Sequence, residues 1–306
     1  MMQLSILTNF QGEFAALLAA FFWSLSSVVY SQVGQKIPAI GLNLIKGIIA
    51  IALLLLTVVL RGSLFPDIEL TIIGLLLLSG IIGIAIGDSA YFTTLKCLGP
   101  RRALLIETLA PPLTAILAFI FLQERLSLSA WLGIILTVLG VAWVITERVG
   151  EGVVGSTHLR RGLLFGLLAE ICQAVGILLS HLALTQTEIS PLWSTLLRLS
   201  GGTVVLLLWL FVKRENFNFV FKPLQSKRTF ALIGLATFLG TYLGIWLQQT
   251  ALKFTAAGIA QALNSTSPLF VLPIAASLGD RVSLRAIFGA IIAIAGIVLL
   301  FQGASN

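Results

Sequence analysis

Apolar residues run through this chain in long unbroken stretches, and short polar breaks separate them. A helix crosses the hydrocarbon core of a bilayer with roughly 20 apolar residues. Ten runs of that kind can be marked: 14–33, 38–60, 70–95, 102–123, 129–146, 161–184, 191–212, 229–253, 256–278 and 284–301. The connections are short except 147–160 and 213–228, and the runs 70–95 and 229–253 are long enough to tilt. Continuous apolarity, without alternation, excludes a closed β-barrel. The first run has no Lys or Arg before it and is too long for a signal-peptide core, so it reads as a span. The expected fold class is an all-α polytopic membrane protein of ten transmembrane helices.

Composition narrows the function. Hydrophobic residues make up 58% of the 306, charged residues only 10%, and the mean hydropathy is +1.05. A soluble domain carries about 25% charged residues, so a water-soluble enzyme and a disordered chain are both excluded. The net charge of +7 comes from 19 Lys/Arg spread thinly between the runs. That is not a phosphate-tracking stripe, and no nucleic-acid partner is expected. Cys97 and Cys172 are far apart inside apolar runs and read as small buried hydrophobes. No G-x-x-x-x-G-K-[ST] loop is present, so ATP hydrolysis by this chain is not expected. His158 and His181 are the only histidines, and no H-E-x-x-H pattern occurs. An intramembrane enzyme is therefore the weakest of the functions considered, and neither cofactor nor metal is expected.

The chain repeats itself. Shifted by 156 residues, Pro112-Leu113 falls on Pro268-Leu269, and Glu124-Arg125-Leu126-Ser127-Leu128 falls on Asp280-Arg281-Val282-Ser283-Leu284. Ala130, Gly133 and Gly140 fall on Ala286, Gly289 and Gly296 without a gap. Lys46 matches Arg198 at a shift of 152. The two units are 14–146 and 161–301, each with five spans. An odd number of spans turns the second unit upside down. Inverted repeats are a recurrent transporter plan, with the substrate site near the midplane between them.

Ten spans, two halves and the segment GPRRALLIETLAPPLTAILAFIFLQERLSLSAWLGIILTVLGVAWV resemble the drug/metabolite transporter superfamily, and more narrowly its EamA-type exporters. The second copy, TAAGIAQALNSTSPLFVLPIAASLGDRVSLRAIFGAIIAIAGIVLL, has Asp280 where such proteins usually have Glu. The resemblance covers nearly the whole chain. It implies a secondary transporter of a small-molecule substrate in the inner (plasma) membrane, and it does not name the substrate.

Ionisable groups inside a span are expensive and normally face a cavity or a partner. Lys46, Asp88, Glu107, Glu170 and Arg198 lie well inside, and His181 lies nearer an end. Helical spacing gathers them into stripes: Glu107 with Pro111 and Thr114; Gln261 with Asn264, Ser265 and Pro268; Trp23 with Ser26, Ser27 and Tyr30; Glu170 and Gln173 with His181; Tyr242 with Trp246 and Gln249; Asp88 with Tyr91. Lys46 and Arg198 hold equivalent positions and suit a substrate carboxylate or phosphate. Glu107, Glu170 and Asp88 suit an amine or a coupling proton. Trp23, Tyr30, Tyr91 and Trp246 suit the walls, with Gln173, Gln249, Asn264 and Ser265 as polar contacts. Internal pairing of Lys46 with Glu107 or Glu170 is the competing arrangement, and Asp88 and His181 are near enough to a mouth to be simply hydrated.

Pro111, Pro112 and Pro268 are expected to kink their spans and to act in gating. Gly83/Gly87 and Gly240/Gly244 have the small-xxx-small spacing of close helix packing. Three Lys/Arg (Arg61, Arg125, Lys253) fall on the side of the termini and fourteen on the other. Lys and Arg accumulate in cytoplasmic loops, which places both termini outside, although ten-span relatives are usually drawn the other way. The function expected is export of a small metabolite such as an amino acid by alternating access. A drug or cation extrusion pump and a lipid-carrier flippase are the alternatives.

Overall fold

The computed structural model describes residues 10–33, 39–62, 67–98, 100–145, 156–213, 226–277 and 283–304. Among these residues all regular structure is helical: α1 (Gln11–Val33), α2 (Ala39–Leu60), α3 (Leu70–Leu98), α4 (Pro100–Glu107), α5 (Ala110–Leu117, extended by a π-helical turn over Ala118–Leu122), α6 (Leu128–Ile145), α7 (Ser156–Thr185), α8 (Pro191–Val212), α9 (Lys227–Phe254), α10 (Ala257–Asn264), α11 (Ser267–Ser277) and α12 (Leu284–Ala304). Hydrocarbon supplies no hydrogen-bond partners, so a spanning segment must satisfy its backbone within itself. Pro38 and the Asp280-Arg281 pair of the second motif lie outside the described residues.

Nine stretches among the described residues are long and apolar enough to cross a membrane. The ninth expected run, 256–278, instead folds as α10 and α11, separated by a turn at Ser265–Thr266. The fourth run is interrupted in the same way, at Thr108–Leu109 between α4 and α5. The proline expectation is corrected here. Pro111 stands in the first turn of α5 and Pro268 is the second residue of α11, where a missing N–H costs little. These prolines start half-helices rather than bend continuous ones. Pro273 sits in the interior of α11.

Successive crossings reverse direction, so the helix ends divide between two faces. One carries both chain ends, where Phe10 and Phe14 pack on Phe301 at ring separations of 5.3 and 5.6 Å. The largest apolar cluster fills that half of the bundle. Ala16, Leu76, Ala115, Ile134, Ile177, Leu184, Leu252 and Leu263 meet there with at most 1% exposure. Glycines set the closest helix approaches. Gly133 lies against the Gly296 carbonyl and Gly289 against that of Gly140, so α6 and α12 run antiparallel in contact. Gly80 of α3 lies directly against the Arg198 carbonyl of α8.

A methyl group at Gly80 would overlap backbone and push α3 off α8. Gly80→Ala is expected to lower the stability of the purified protein by about 1–3 kcal/mol, as overpacking does. Gly234→Ala, with nothing within 4 Å of the added carbon, should be neutral or mildly stabilising. Thermal unfolding in detergent compares the two.

Candidate functional site: a polar cavity at mid-membrane

A cavity of about 340 Å³ opens among α1, α2, α3, α4, α7, α8, α9 and the α10–α11 turn. Its lining residues lie mid-span or toward the face opposite the chain ends, and the large apolar cluster closes the other end.

The α1 wall is built by a polar stripe that answers a backbone defect. Residues Thr237–Leu243 of α9 are π-helical, as are Ile81–Asp88 of α3. A π-turn displaces the carbonyl register and leaves acceptors for other donors. Trp23 Nε1 donates to the Gly240 carbonyl at 2.8 Å, and the Ser26 hydroxyl to the Ala236 carbonyl at 2.9 Å. The Tyr30 hydroxyl and Thr237 Oγ1 share a hydrogen bond of 3.0 Å. Gly244 makes room for the indole: a methyl group there would stand 2.6 Å from Trp23 Nε1.

The two cations enter from different elements. Arg198 is 3% exposed. Its Nη1 donates to Ser180 Oγ at 3.1 Å, and its Nη2 reaches Gln173 Oε1 at 3.5 Å. Ser180 is in turn bonded to Ser79 at 2.7 Å, and Ser79 donates to the Gly176 carbonyl at 2.6 Å. Lys46 Nζ stands 5.4 Å from the centre of the Tyr30 ring. No carboxylate among the described residues lies within ion-pair distance of either cation, so the direct pairing of Lys46 with Glu107 or Glu170 is not formed. Asp88 is within electrostatic reach of both Lys46 and Arg198. Buried polar atoms on the same wall have no partner: Asn43 Nδ2, Gln261 Oε1 and both side-chain atoms of Asn264. Unpaired buried polar groups are costly, so these amides are available to water or to a ligand.

A smaller chamber of about 140 Å³ adjoins the cavity and shares Asp88, Tyr91, Glu107, Gln173 and Gln261 with it. Glu170 lines this chamber only. Glu107 ends α4 at the helix break, where Thr108 Oγ1 donates back to the Leu105 carbonyl at 2.6 Å. The other break is tied alike, by Thr266 Oγ1 to the Leu263 carbonyl at 2.6 Å. Both turns meet the polar interior.

Of the residues singled out in the sequence, Trp23, Tyr30, Lys46, Tyr91, Glu107, Gln173, Arg198, Asn264 and Ser265 line the cavity. Trp246 and Gln249 do not, which corrects that stripe. Trp246 packs on Tyr242 and carries Arg61 at 5.1 Å over its ring. Gln249 is fully buried and accepts from Ser194 Oγ at 2.7 Å. The wall is formed instead by Thr241, Ile245 and Gln248, one position earlier. His181 is not hydrated at a mouth. It is buried, its Nε2 pairs with Glu124 Oε1, and its Nδ1 lies 2.6 Å from the Leu252 carbonyl. Asn43, Thr203, Thr241, Gln248 and Ser267 are wall residues that sequence reasoning passed over. Asn43 was findable, three residues before Lys46 on one helical stripe.

Comparison with known proteins places the chain. The profile of the EamA-like transporter family matches residues 10–146 and again 160–302. The chain belongs to the EamA-like transporter family. An "Uncharacterized transporter" of Archaeoglobus fulgidus is 27% identical over 288 residues, spanning 93% of this chain and 96% of the relative. "Protein LicB" of Haemophilus influenzae is 27% identical over 212 residues, covering 68% and 70% of the two chains. "Uncharacterized transporter YyaM" of Bacillus subtilis is 26% identical over 225 residues, covering 72% of this chain and 70% of that one. A solved crystal structure superposes with a TM-score of 0.78 at 15% identity, covering 94% of this chain and 96% of that one, and shares the fold. The chain is thus a multi-pass membrane protein of a transporter family.

Gln248 and Gln249 separate wall from core in this EamA-like protein. Gln249→Ala strands the Ser194 hydroxyl and should cost roughly 1–3 kcal/mol of stability, read as a lowered melting temperature. Gln248→Ala should leave melting unchanged and lower substrate flux across reconstituted liposomes.

Proposed function

We propose that the protein is a secondary transporter that exports a small metabolite bearing a carboxylate, an amino acid being the type case. Substrate binds in the central cavity, which is exposed alternately to the two sides of the membrane. One observation carries this: Lys46 and Arg198, from the two sequence halves, line one polar cavity, and among the described residues no carboxylate lies within ion-pair distance of either. Two charges held at mid-membrane without a salt-bridge partner are expensive, and an anionic group placed between them offsets that cost. The unpartnered amides of Asn43, Gln261 and Asn264 add contacts for the rest of a polar molecule. Tyr30, Tyr91 and Trp23 bound its size.

The chain is arranged as two inverted five-span repeats, 14–146 and 161–301, with α4–α5 and α10–α11 as broken fourth spans. In support, the family profile matches twice. The π-helical segments begin at Ile81 and Thr237, the same 156-residue offset that aligns the motifs. The Gly133–Gly296 contact exchanges with Gly289–Gly140 under that offset. The prolines at the half-helix starts favour Pro111, Pro112 and Pro268 as gating positions. By the Lys/Arg distribution the termini face outward, in a protein we assign to the plasma membrane. The cavity then opens to the cytoplasm, where an exporter loads.

The competing drug or cation pump would anchor its substrate on Glu107 or Glu170. In liposomes, Lys46→Ala is expected to abolish exchange of radiolabelled amino acids, while Glu107→Ala retains part of it. Loss of lipophilic-cation flux in Glu107→Ala, with none lost in Lys46→Ala, would favour the pump and overturn the assignment. A one-sided reporter at the C-terminus checks the orientation, and a cytoplasmic signal would reverse the direction proposed.

A further inference from the structure

We propose that the smaller chamber is a proton site distinct from the substrate cavity, with Glu170 as the carboxylate that holds the proton and Glu107 as the group that relays it to the cavity. It deepens the transport function above by assigning the coupling ion to particular residues.

The two compartments share Asp88 and Glu107 but differ in their cations. The cations Lys46 and Arg198 border the central cavity, whereas neither lines the smaller chamber. The chamber holds Asp88, Glu107 and Glu170, and it narrows to about 140 Å³, room for a few waters rather than a metabolite. Glu170 is 3% exposed, and its Oε2 has no hydrogen-bond partner among the described residues. An orphaned carboxylate oxygen at this depth is the costliest kind of vacancy in the bundle, and a proton removes the charge that makes it so. The charge balance points the same way. Across both compartments two cations face three carboxylates, a formal excess of one negative charge. One bound proton neutralises it. A divalent metal is disfavoured, because no three potential ligands converge to hold one among the described residues.

The route is continuous. Glu170 on α7 faces Asp88 and Tyr91 of α3 and Glu107 of α4 across the chamber. Glu107 lines both compartments, so it stands at the junction. The other ionisable groups in reach are Cys172, beside Gly87, and Arg198, through Gln173. Lys46 acts from beyond Asp88. A proton on Glu170 therefore senses occupation of the cavity through Asp88 and Arg198.

Two measurements on the full-length protein test this. Infrared difference spectra between mildly acidic and mildly alkaline pH should contain a protonated-carboxyl band that is lost in Glu170→Gln. Liposomes loaded with a radiolabelled amino-acid mixture should show exchange at equal pH in both wild type and Glu170→Gln, with accumulation driven by a pH gradient lost in the variant alone. A wild-type spectrum without that band, or undiminished gradient-driven accumulation in Glu170→Gln, would overturn the assignment. Absence of exchange by the wild type would sink the metabolite function instead, and the infrared band would then decide the proton site by itself. Thermal melting of Glu170→Gln guards against misfolding. The variant removes a buried charge and should melt no lower than wild type, and a variant that neither folds nor retains exchange overturns the proposal in favour of a structural role.

Discussion

Hydrocarbon offers the backbone no hydrogen bonds, and most of this architecture follows from that deprivation. Every described crossing is helical, and several departures from the regular α-helix are met by side-chain donors. The π-helical turn in α9 is answered by Trp23 and Ser26, whose side chains donate to the carbonyls of Gly240 and Ala236. The breaks at Thr108–Leu109 and Ser265–Thr266 are sealed by threonine hydroxyls that return to carbonyls three residues earlier. All of these irregularities border the cavity. Irregular backbone is tolerable only against protein or water, so the cavity and the broken helices require each other.

Much of this was legible in the sequence, because the determining signals are local or periodic. Span positions follow from apolar run length alone. The Trp23–Tyr30 stripe and the charged positions Lys46, Asp88, Glu107 and Arg198 stand out because polar residues inside apolar runs are rare. What the sequence concealed is helical phase. The stripe chosen on α9, Tyr242–Trp246–Gln249, is off by one residue: Thr241, Ile245 and Gln248 keep the same spacing, so the periodicity holds and only the face differs, the aromatic and amide side chains drawing the choice to the neighbouring stripe. Proline misled in a related way. Its position inside an apolar run implied a kink, but its actual place is the first turn of a new helix, and only the partner of the freed carbonyl could tell the two apart. His181 was ambiguous for another reason. Its partner Glu124 lies on a different element, and a contact across 57 residues leaves no local trace.

The polar contacts are not spread evenly between the two faces. On the face carrying the chain ends, Glu124 pairs with His181 and also accepts from the Ala257 backbone at 3.3 Å. Thr255 donates to the buried Glu13 at 2.5 Å, and Lys253 donates to the Ile189 carbonyl at 2.8 Å. These bonds tie α7 and α10 to the segment after α5, α1 to the residue after α9, and α9 to the segment before α8. Beneath them the apolar cluster excludes water, which strengthens each bond. A cavity that must close at one end while staying hydrated at the other needs this division: dry packing with specific cross-links below, polar side chains with spare hydrogen-bonding capacity above.

The packing also constrains which bodies can move. Gly80 of α3 abuts the Arg198 carbonyl, Gly201 of α8 abuts the Leu77 carbonyl, and Gly176 of α7 lies 3.0 Å from the Ser79 carbonyl at the Cβ position. Backbone-to-backbone contact leaves no flexible side chain to absorb sliding, so α3, α7 and α8 form one unit. The hydrogen bonds from α1 to α9 form a second, where Gly240 and Gly244 make room for the Ser26 and Trp23 side chains. Each unit draws helices from both halves of the chain. Rocking of one sequence half against the other would tear these glycine seams open, at the cost of the closest contacts in the bundle. The softer seam is the cavity itself, where α1 and α9 face α3, α7 and α8 across polar side chains and open volume. Under the proposed alternating access, motion that exposes the site to the opposite face has its least resistance along that seam, with Lys46 and Asp88 at its rim.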